Sequence, residues 1–404
     1  MVVDGGKIVE IGFAADLQEK YPEVENVDFG DRVILPPMAN AHTHLELTHF
    51  PQWALSSNAP NEQVSFVDWV LQLIKVRRNL TLQQRNRSLC EGLELSLRYG
   101  TALVGDILTS MELHSLYAAS KLHGSIFFEV LGRDPAPLAE RLDHFSKICH
   151  IPPGRNLSWG LSPHAPYTLS EETLNLAVFW AEQHRLPISI HLAETEDEVA
   201  FIAHGEGAIA ERLYPAVNWQ VKPRTRQTDQ LTPVQWLLDH GTLPSNSLAI
   251  HGVHVEERDA AGLARAGVGV VLCPRSNARF GSRRAPLSDY RQAGVPLALG
   301  TDSLASSPSL SLWDELAFAW SWFADELSGA QWLEIATCGG AAALGRERDF
   351  AGLAACQPAN FQVVSSPERR GGESLCDHLC ACGDQVKVEA LYLATDGVCE
   401  NVLS

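Results

Sequence analysis

Eight short apolar or β-rich runs recur along the chain, ending at NAHTH, TALVGD, SIFFEV, LSWGLSPH, PISIHLAE, SLAIHG, VGVVLCP and VPLALGTD. Stretches with helical spacing separate them. In TLQQRNRSLCEGLELSLRYG, Thr81 can cap a helix start, Leu89, Leu93 and Leu97 share one face, and Gly100 supplies a stop. Strand followed by helix, repeated in this way, predicts an α/β fold of the (β/α)8 barrel type. Such a barrel gathers its functional groups where the strands end. His42, His44, His164, His191, His251 and Asp302 all fall at those ends.

The flanks read differently. VVDGGKIVEIG and VEALYLATDGVCENVLS are strand-and-turn segments with Gly-centred turns, which predicts a small β-domain built from both termini. The expected division is 1–37 and 346–404 for that domain and 38–345 for the barrel. A polar, Pro-containing insertion, PAVNWQVKPRTRQTDQ, reads as a surface loop. The link SSNAPNEQVSFVDWVLQLIKVRRN is longer than an ordinary strand-to-helix connection and is expected to shape a pocket over the barrel mouth.

The 49 acidic residues outnumber the 31 basic ones, for a formal net charge of −18, and no Lys/Arg-rich run interrupts the excess. This balance argues against a nucleic-acid partner, because binding phosphate backbones needs a basic patch. The chain shows neither a cationic segment followed by an apolar signal core nor an apolar run of the roughly 18 residues a membrane span needs. A cytoplasmic protein without membrane contact is the expectation. Nine cysteines, spread from Cys90 to Cys399, suit free thiols better than a disulfide framework.

Residues i and i+2 of a strand point to the same side, so His42 and His44 can offer two ring nitrogens to one ion. By itself H-x-H is more often a pair of satisfied or exposed histidines. His191 and Asp302 change that balance, since each ends a different strand and adds a third imidazole and a carboxylate at the same mouth. Three nitrogens and one oxygen leave an open position, as a catalytic metal site requires. Glu194, three residues beyond His191, is the expected general acid/base, and His251 the expected partner of Asp302 and of the attacking water. No lysine ends the fourth strand, so one divalent ion is expected: Zn2+ first, with Fe2+ or Mn2+ as alternatives because ligand type seldom fixes the metal.

NAHTHLEL, SPHAPYTLS, ISIHLAETEDEV, LAIHGVHV, LCPRSNARFG and LALGTDSLASSPSLSL occur in an order and spacing that resemble the amidohydrolase superfamily. The likeness runs over nearly the whole chain, and it is to the branch of mononuclear nucleobase and nucleoside deaminases and triazine hydrolases. The resemblance implies metal ligation by His42, His44, His191 and Asp302, proton transfer by Glu194, a catalytic His251 beside Asp302, and substrate contact by His164. HTHLEL, SFVDWVLQLI, TPVQWLL, CPRSN and GTDSLAS look most like the members that act on aminodeoxyfutalosine, on the futalosine route to menaquinone. Ser303, within the last of these, joins the substrate-contact candidates. Two motifs depart from the usual pattern, LPPMANAH before the first histidines and Asn360 where an aspartate is usual, and neither is a ligand. Met1 begins inside what resembles the second strand of the family's terminal β-domain, so an upstream hairpin is expected to be missing or the start misassigned.

That substrate joins an adenine to a benzoate. Trp69 and Phe66, three apart, are candidates for a flat slot, although aromatics at helical spacing are more often core. Arg275 is the first candidate for the carboxylate, with Arg133, Arg279, Arg283 and Arg284 as competitors. Glu129 is placed to touch a ribose hydroxyl or a ring nitrogen. Glu46 completes H-x-E with His44, but the cytidine-deaminase pattern also needs P-C-x-x-C, which is absent. CDHLCACG brings Cys376, His378, Cys380 and Cys382 together, yet a structural zinc site normally uses two separated pairs, so free thiols are expected. The expected reaction is hydrolytic deamination of an adenine-type ring in a small nucleoside-like substrate. Rivals are deaminases of S-adenosylhomocysteine, methylthioadenosine or guanine, and triazine hydrolases. A barrel without chemistry would have lost a ligand. Assembly into a homo-oligomer is left open.

Overall fold

A computed structural model describes residues 1–56, 65–221, 231–240, 243–324, 326–369 and 371–403. The expected loop at 215–230 and the link after residue 55 fall partly outside them.

The barrel strands are β1 (Met38–Thr43), β2 (Thr101–Leu108), β3 (His123–Val130), β4 (Leu157–Pro163), β5 (Ser189–Leu192), β6 (Leu248–His251), β7 (Gly269–Leu272) and β8 (Leu297–Leu299). β1 to β4 pair in sequence order as one parallel sheet, and β5 to β8 as another. Two parallel bridges join them, Leu161 to Ile188 between β4 and β5, and Thr43 to Asp302 between β1 and the residues after β8. The second bridge closes the ring at the carboxyl end. The strands are buried almost throughout, as parallel strands covered by helices are.

The helix Leu82–Arg98 forms as expected. Thr81 accepts from the Gln84 amide in a capping box, Leu89 and Leu93 are buried, and Gly100 adopts φ 78° beyond the end. Gly92 faces the turn after β1 so closely that a Cβ there would lie 2.5 Å from Thr48 Oγ1. Ser65 likewise caps the helix Phe66–Arg77.

Strands from both ends of the chain share a four-stranded antiparallel sheet, ordered Val398–Asn401, Lys387–Thr395, Phe361–Ser365, Val33–Leu35. The first hairpin, Val2–Asp4 with Lys7–Glu10, turns at Gly5 and Gly6 with φ 52° and 71°. It is tied to the late chain by Ile8 N donating to Gln357 O at 2.9 Å and Cys356 N donating to Ile8 O at 2.8 Å. The cysteine-rich run lies on a helix, Leu375–Ala381, and all nine cysteines are free. Among the described residues no helix is long and apolar enough to cross a membrane.

Candidate active site

β1 ends at Thr43, so His42 leaves from the strand and His44 from the turn that follows. Their rings still stand 4.9 Å apart, at 88°. His42 is fully buried, and neither of its ring nitrogens has a hydrogen-bond partner. Such orphaned polar atoms are costly in a protein interior and ask for a ligand. On β5, His191 Nδ1 lies 2.9 Å from the His164 carbonyl, to which it donates, leaving Nε2 with its lone pair. That Nε2 is 3.4 Å from His44 Nε2, and Asp302 Oδ1 is 3.6 and 3.5 Å from Nε2 of His42 and His44. Neighbouring donors at 2.0–2.1 Å from one ion, at near-tetrahedral angles, would stand about 3.3–3.4 Å apart, close to these three separations. The donor set therefore fits a divalent metal.

Electrostatics point the same way. Burial pushes the imidazole pKa of His42 down to about 4 and of His44 to about 3, so both are neutral. Burial also opposes the ionisation of Asp302, but the facing His42 and His44 rings outweigh that and hold it well below the usual carboxylate range. Its second oxygen accepts from Ser276 Oγ at 2.7 Å and Ser306 Oγ at 2.6 Å, which leaves Oδ1 toward the histidines. Such supporting bonds orient a ligating carboxylate.

Beside this cluster stand Glu194 and His251, with Oε1 and Nε2 3.6 Å apart. Burial, reinforced by the charges of Asp302 and Glu198, holds the Glu194 carboxyl well above its ordinary pKa. Burial pushes His251 down to about 3, and Asp302 pulls the other way. His251 Nδ1 donates to Asn277 Oδ1 at 2.9 Å, which makes Nε2 the basic nitrogen. The contact expected between His251 and Asp302 is thus electrostatic, and the closer partner is Glu194.

The remaining candidates divide. The His164 ring lies 4.8 Å from that of His191, tilted by 34°, and Tyr167 carries that row on to Phe66, 6.2 Å away. Phe66, Trp69 and Phe280 form one aromatic patch, with Phe280 5.4 and 4.9 Å from the other two. Trp69 Nε1 donates to Ala305 O at 2.9 Å, just past Asp302. On β3, Glu129 accepts from Thr109 Oγ1 at 2.7 Å. Its burial is outweighed by His164, His44 and Arg77, which hold its pKa low. Ser303 accepts from the Ala305 amide at 3.3 Å, shaping the turn after Asp302.

Arg275 is not brought to the site as a free cation. Its Nε donates to Glu315 Oε2 at 2.5 Å, and its terminal nitrogens to Ser309 Oγ, Ser309 O and Ser311 O at 3.0, 2.9 and 3.2 Å. With its fork occupied and its side chain 8% exposed, it braces the loop between β8 and the helix Leu312–Trp322. Arg133 is also engaged, by Leu169 O and Tyr214 Oη. Arg279, Arg283 and Arg284 are exposed and make no hydrogen bond or ion pair among the described residues.

A model of the amidohydrolase family matches residues 33–378. The chain belongs to that family. Among its amidohydrolase relatives, an aminodeoxyfutalosine deaminase of Deinococcus radiodurans is 33% identical over 331 residues, 79% of this chain and 75% of that one. A 5-methylthioadenosine/S-adenosylhomocysteine deaminase of Carboxydothermus hydrogenoformans is 27% identical over 325 residues, 79% of this chain and 68% of the other. Among solved structures, Helicobacter pylori aminofutalosine deaminase, in complex with methylthio-coformycin, matches with a TM-score of 0.81 at 23% identity, covering 99% of this chain and 94% of that one. At that identity the likeness speaks for the fold.

As an amidohydrolase the protein is a metal-dependent hydrolase with a histidine-rich centre, His42, His44 and His191. The sequence reading missed Asn277, Ser276, Ser306, Glu198 and Phe280. Asn277 and Ser276 stand inside the quoted CPRSN, and Glu198 inside ETEDEV, but nothing in those letters shows which distant group each meets. Glu46 meets Arg77 and the Ser110 amide, and so serves the loops after β1 and β2. His378 Nε2 donates to Pro367 O at 2.9 Å, and no metal-ligating group forms around it among the described residues.

Proposed function

We propose that the protein is a hydrolytic deaminase of an adenine-type nucleoside, converting aminodeoxyfutalosine to futalosine and ammonia in menaquinone formation. The observation that carries the reading is a buried cluster of His42, His44, His191 and Asp302 beside Glu194, whose carboxyl faces His251 Nε2 at 3.6 Å. In this reading His42, His44, His191 and Asp302 hold one divalent ion, Zn2+ before Fe2+ or Mn2+. When bound, the ion supplies Lewis acidity that makes water nucleophilic at neutral pH. Glu194 delivers its proton to the ring nitrogen as water adds to the amino-bearing carbon, and takes back the proton of the new hydroxyl as the carbonyl forms and the carbon–nitrogen bond breaks. His251 Nε2 takes the proton lost by the attacking water and returns it to the amino group, which leaves as ammonia; Asn277 sets its tautomer. Buried neutral groups that exchange one proton suit this task, because neither has to be desolvated again as charge develops.

His164 and Glu129 are read as contacts to the ring and ribose, Ser303 as a further contact, and Phe66 and Trp69, joined by Phe280, as the apolar wall. The cation for the benzoate carboxylate is reassigned from Arg275 to the free arginines Arg279, Arg283 and Arg284. Ser282, among them, reaches the Glu194 carbonyl at 3.3 Å, which supports that choice. The division into 1–37, 38–345 and 346–404 and a cytoplasmic location belong to the same reading. The 27% identity to a methylthioadenosine/S-adenosylhomocysteine deaminase favours a second reading, with one of those nucleosides as substrate.

The test is ammonia release by the zinc-loaded protein from aminodeoxyfutalosine, S-adenosylhomocysteine, methylthioadenosine and adenosine. Aminodeoxyfutalosine should exceed adenosine in kcat/KM by at least about tenfold, since a charged contact at the benzoate contributes on the order of 1.5–3 kcal/mol. Equal efficiency would remove the menaquinone assignment, and silence on all four would remove deamination itself.

A further inference from the structure

The turn that carries Glu194 is held on every side. β5 ends at Leu192, and Ala193 then takes a left-handed φ of 54°, a conformation uncommon for a residue with a Cβ. The Ala193 carbonyl accepts from the amides of Val253 and His254 at 2.9 and 2.8 Å, both in the loop after β6. The Glu194 carbonyl accepts from Ser282 Oγ, in the segment after β7. That leaves the two amide hydrogens of the turn, and both go to one side chain. Ala193 N donates to Glu198 Oε1 at 3.0 Å and Glu194 N to Glu198 Oε2 at 2.9 Å.

Glu198 lies in the first turn of the helix Glu196–His204, fully buried, with its own amide donated to Thr195 Oγ1. It has no ion pair among the described residues. Its chemistry is specific to the task, because two neighbouring N–H donors need two acceptors side by side. A carboxylate offers two, a carboxamide offers one acceptor and one clashing donor, and a hydroxyl is too small to bridge them. Burial pushes the Glu198 carboxyl up to about 7 while the two amides pull it back, and its charge is one of the influences that raise the Glu194 carboxyl. An unpaired buried acid is an unfavourable way to hold an ordinary turn. Its use here follows from what the turn carries.

We propose that Glu198 is a positioning residue for Glu194: its two oxygens clamp the successive amides of a left-handed turn and so keep the Glu194 carboxyl aimed at His251 Nε2. The proposal rests on the reading of Glu194 as the proton-transfer group. It touches no reacting atom itself.

The experiment compares the full zinc-loaded chain with its Glu198→Gln and Glu198→Ala variants. Metal content should stay at one ion per chain and KM should move less than about threefold. kcat should fall by roughly 10- to 100-fold, as expected when a reacting group is displaced by a fraction of an ångström to an ångström. Glu198→Gln should be no better than Glu198→Ala despite its closer size, because its amide opposes an N–H. Hydrogen exchange should show the Ala193 and Glu194 amides protected in the unmodified protein and faster in both variants, with the other strands unchanged. Wild-type kcat in a folded variant, or a joint loss of metal, KM and melting temperature, overturns the proposal. If the unmodified protein deaminates no nucleoside, the functional reading fails and exchange alone judges the clamp. Unprotected Ala193 and Glu194 amides in the unmodified chain overturn it without any variant.

Discussion

Ala193, His251 and Asp302 all hold left-handed backbone, at φ 54°, 74° and 56°, where side chains are rarely found. Each carries or adjoins a group of the candidate centre, and such conformations persist only where surrounding bonds over-determine them. For Asp302 those bonds are Asp302 N to His42 O at 3.1 Å and Thr43 Oγ1 to Asp302 O at 3.0 Å. Roles at this scale separate by substitution. His44→Ala removes one of four donors, and elemental analysis should show the bound metal lost; unchanged stoichiometry would take His44 out of the site. Glu194→Gln keeps the shape and the metal but carries no transferable proton, so turnover should fall by about 10²–10⁴. Near-normal turnover in that variant would assign the proton to another group.

Between elements, the junction of β1 with β2 carries a second buried acid. Asp106 of β2 accepts from Leu45 N at 2.8 Å and from Tyr117 Oη at 2.5 Å, hanging the turn after His44 on the neighbouring strand. Burial pushes its carboxyl up from 3.8 to about 7, against those two bonds. The folded protein therefore binds a proton across that window that the unfolded chain has released. Asp106 should contribute stability at low pH that is lost as pH rises through about 7. Asp106→Asn mimics the neutral acid, with its oxygen toward Leu45 N and its amide toward Tyr117. Melting temperatures from pH 5 to 8 should fall less steeply in the variant, by an amount on the order of a few kcal/mol in stability. Parallel curves for the two proteins would place the titration elsewhere.

Over the whole molecule, the formal charge of −18 acts at long range on any charged ligand. A benzoate-bearing substrate is repelled at a distance before its local cation is reached, and salt screens that repulsion within about 8–10 Å at 0.10–0.15 M. kcat/KM for aminodeoxyfutalosine should rise between 10 and 150 mM salt (~15-fold in concentration,) while that for neutral adenosine stays level. A fall for the anionic substrate would show that the free arginines dominate the approach. The barrel was legible in the chain because its signals are local: alternating strand and helix periods, caps such as Thr81, and a polar residue at each strand end. The meeting of those histidines and an aspartate was legible for the same reason, since strand ends converge in any closed barrel. What a side chain meets after closure was not. Arg275 sits in a motif that invited a substrate contact, yet Glu315, 40 positions away, takes its donors. Asn277 reaches His251 from the helix that follows the next strand, and Glu198 turns back onto the two amides before it. Periodicity and residue type determined the barrel and its metal-binding ends. Only the tertiary structure decided which buried charges are spent on bracing and which are left for chemistry, because hydrogen bonds act over about 3 Å of space and sequence distance carries no record of it.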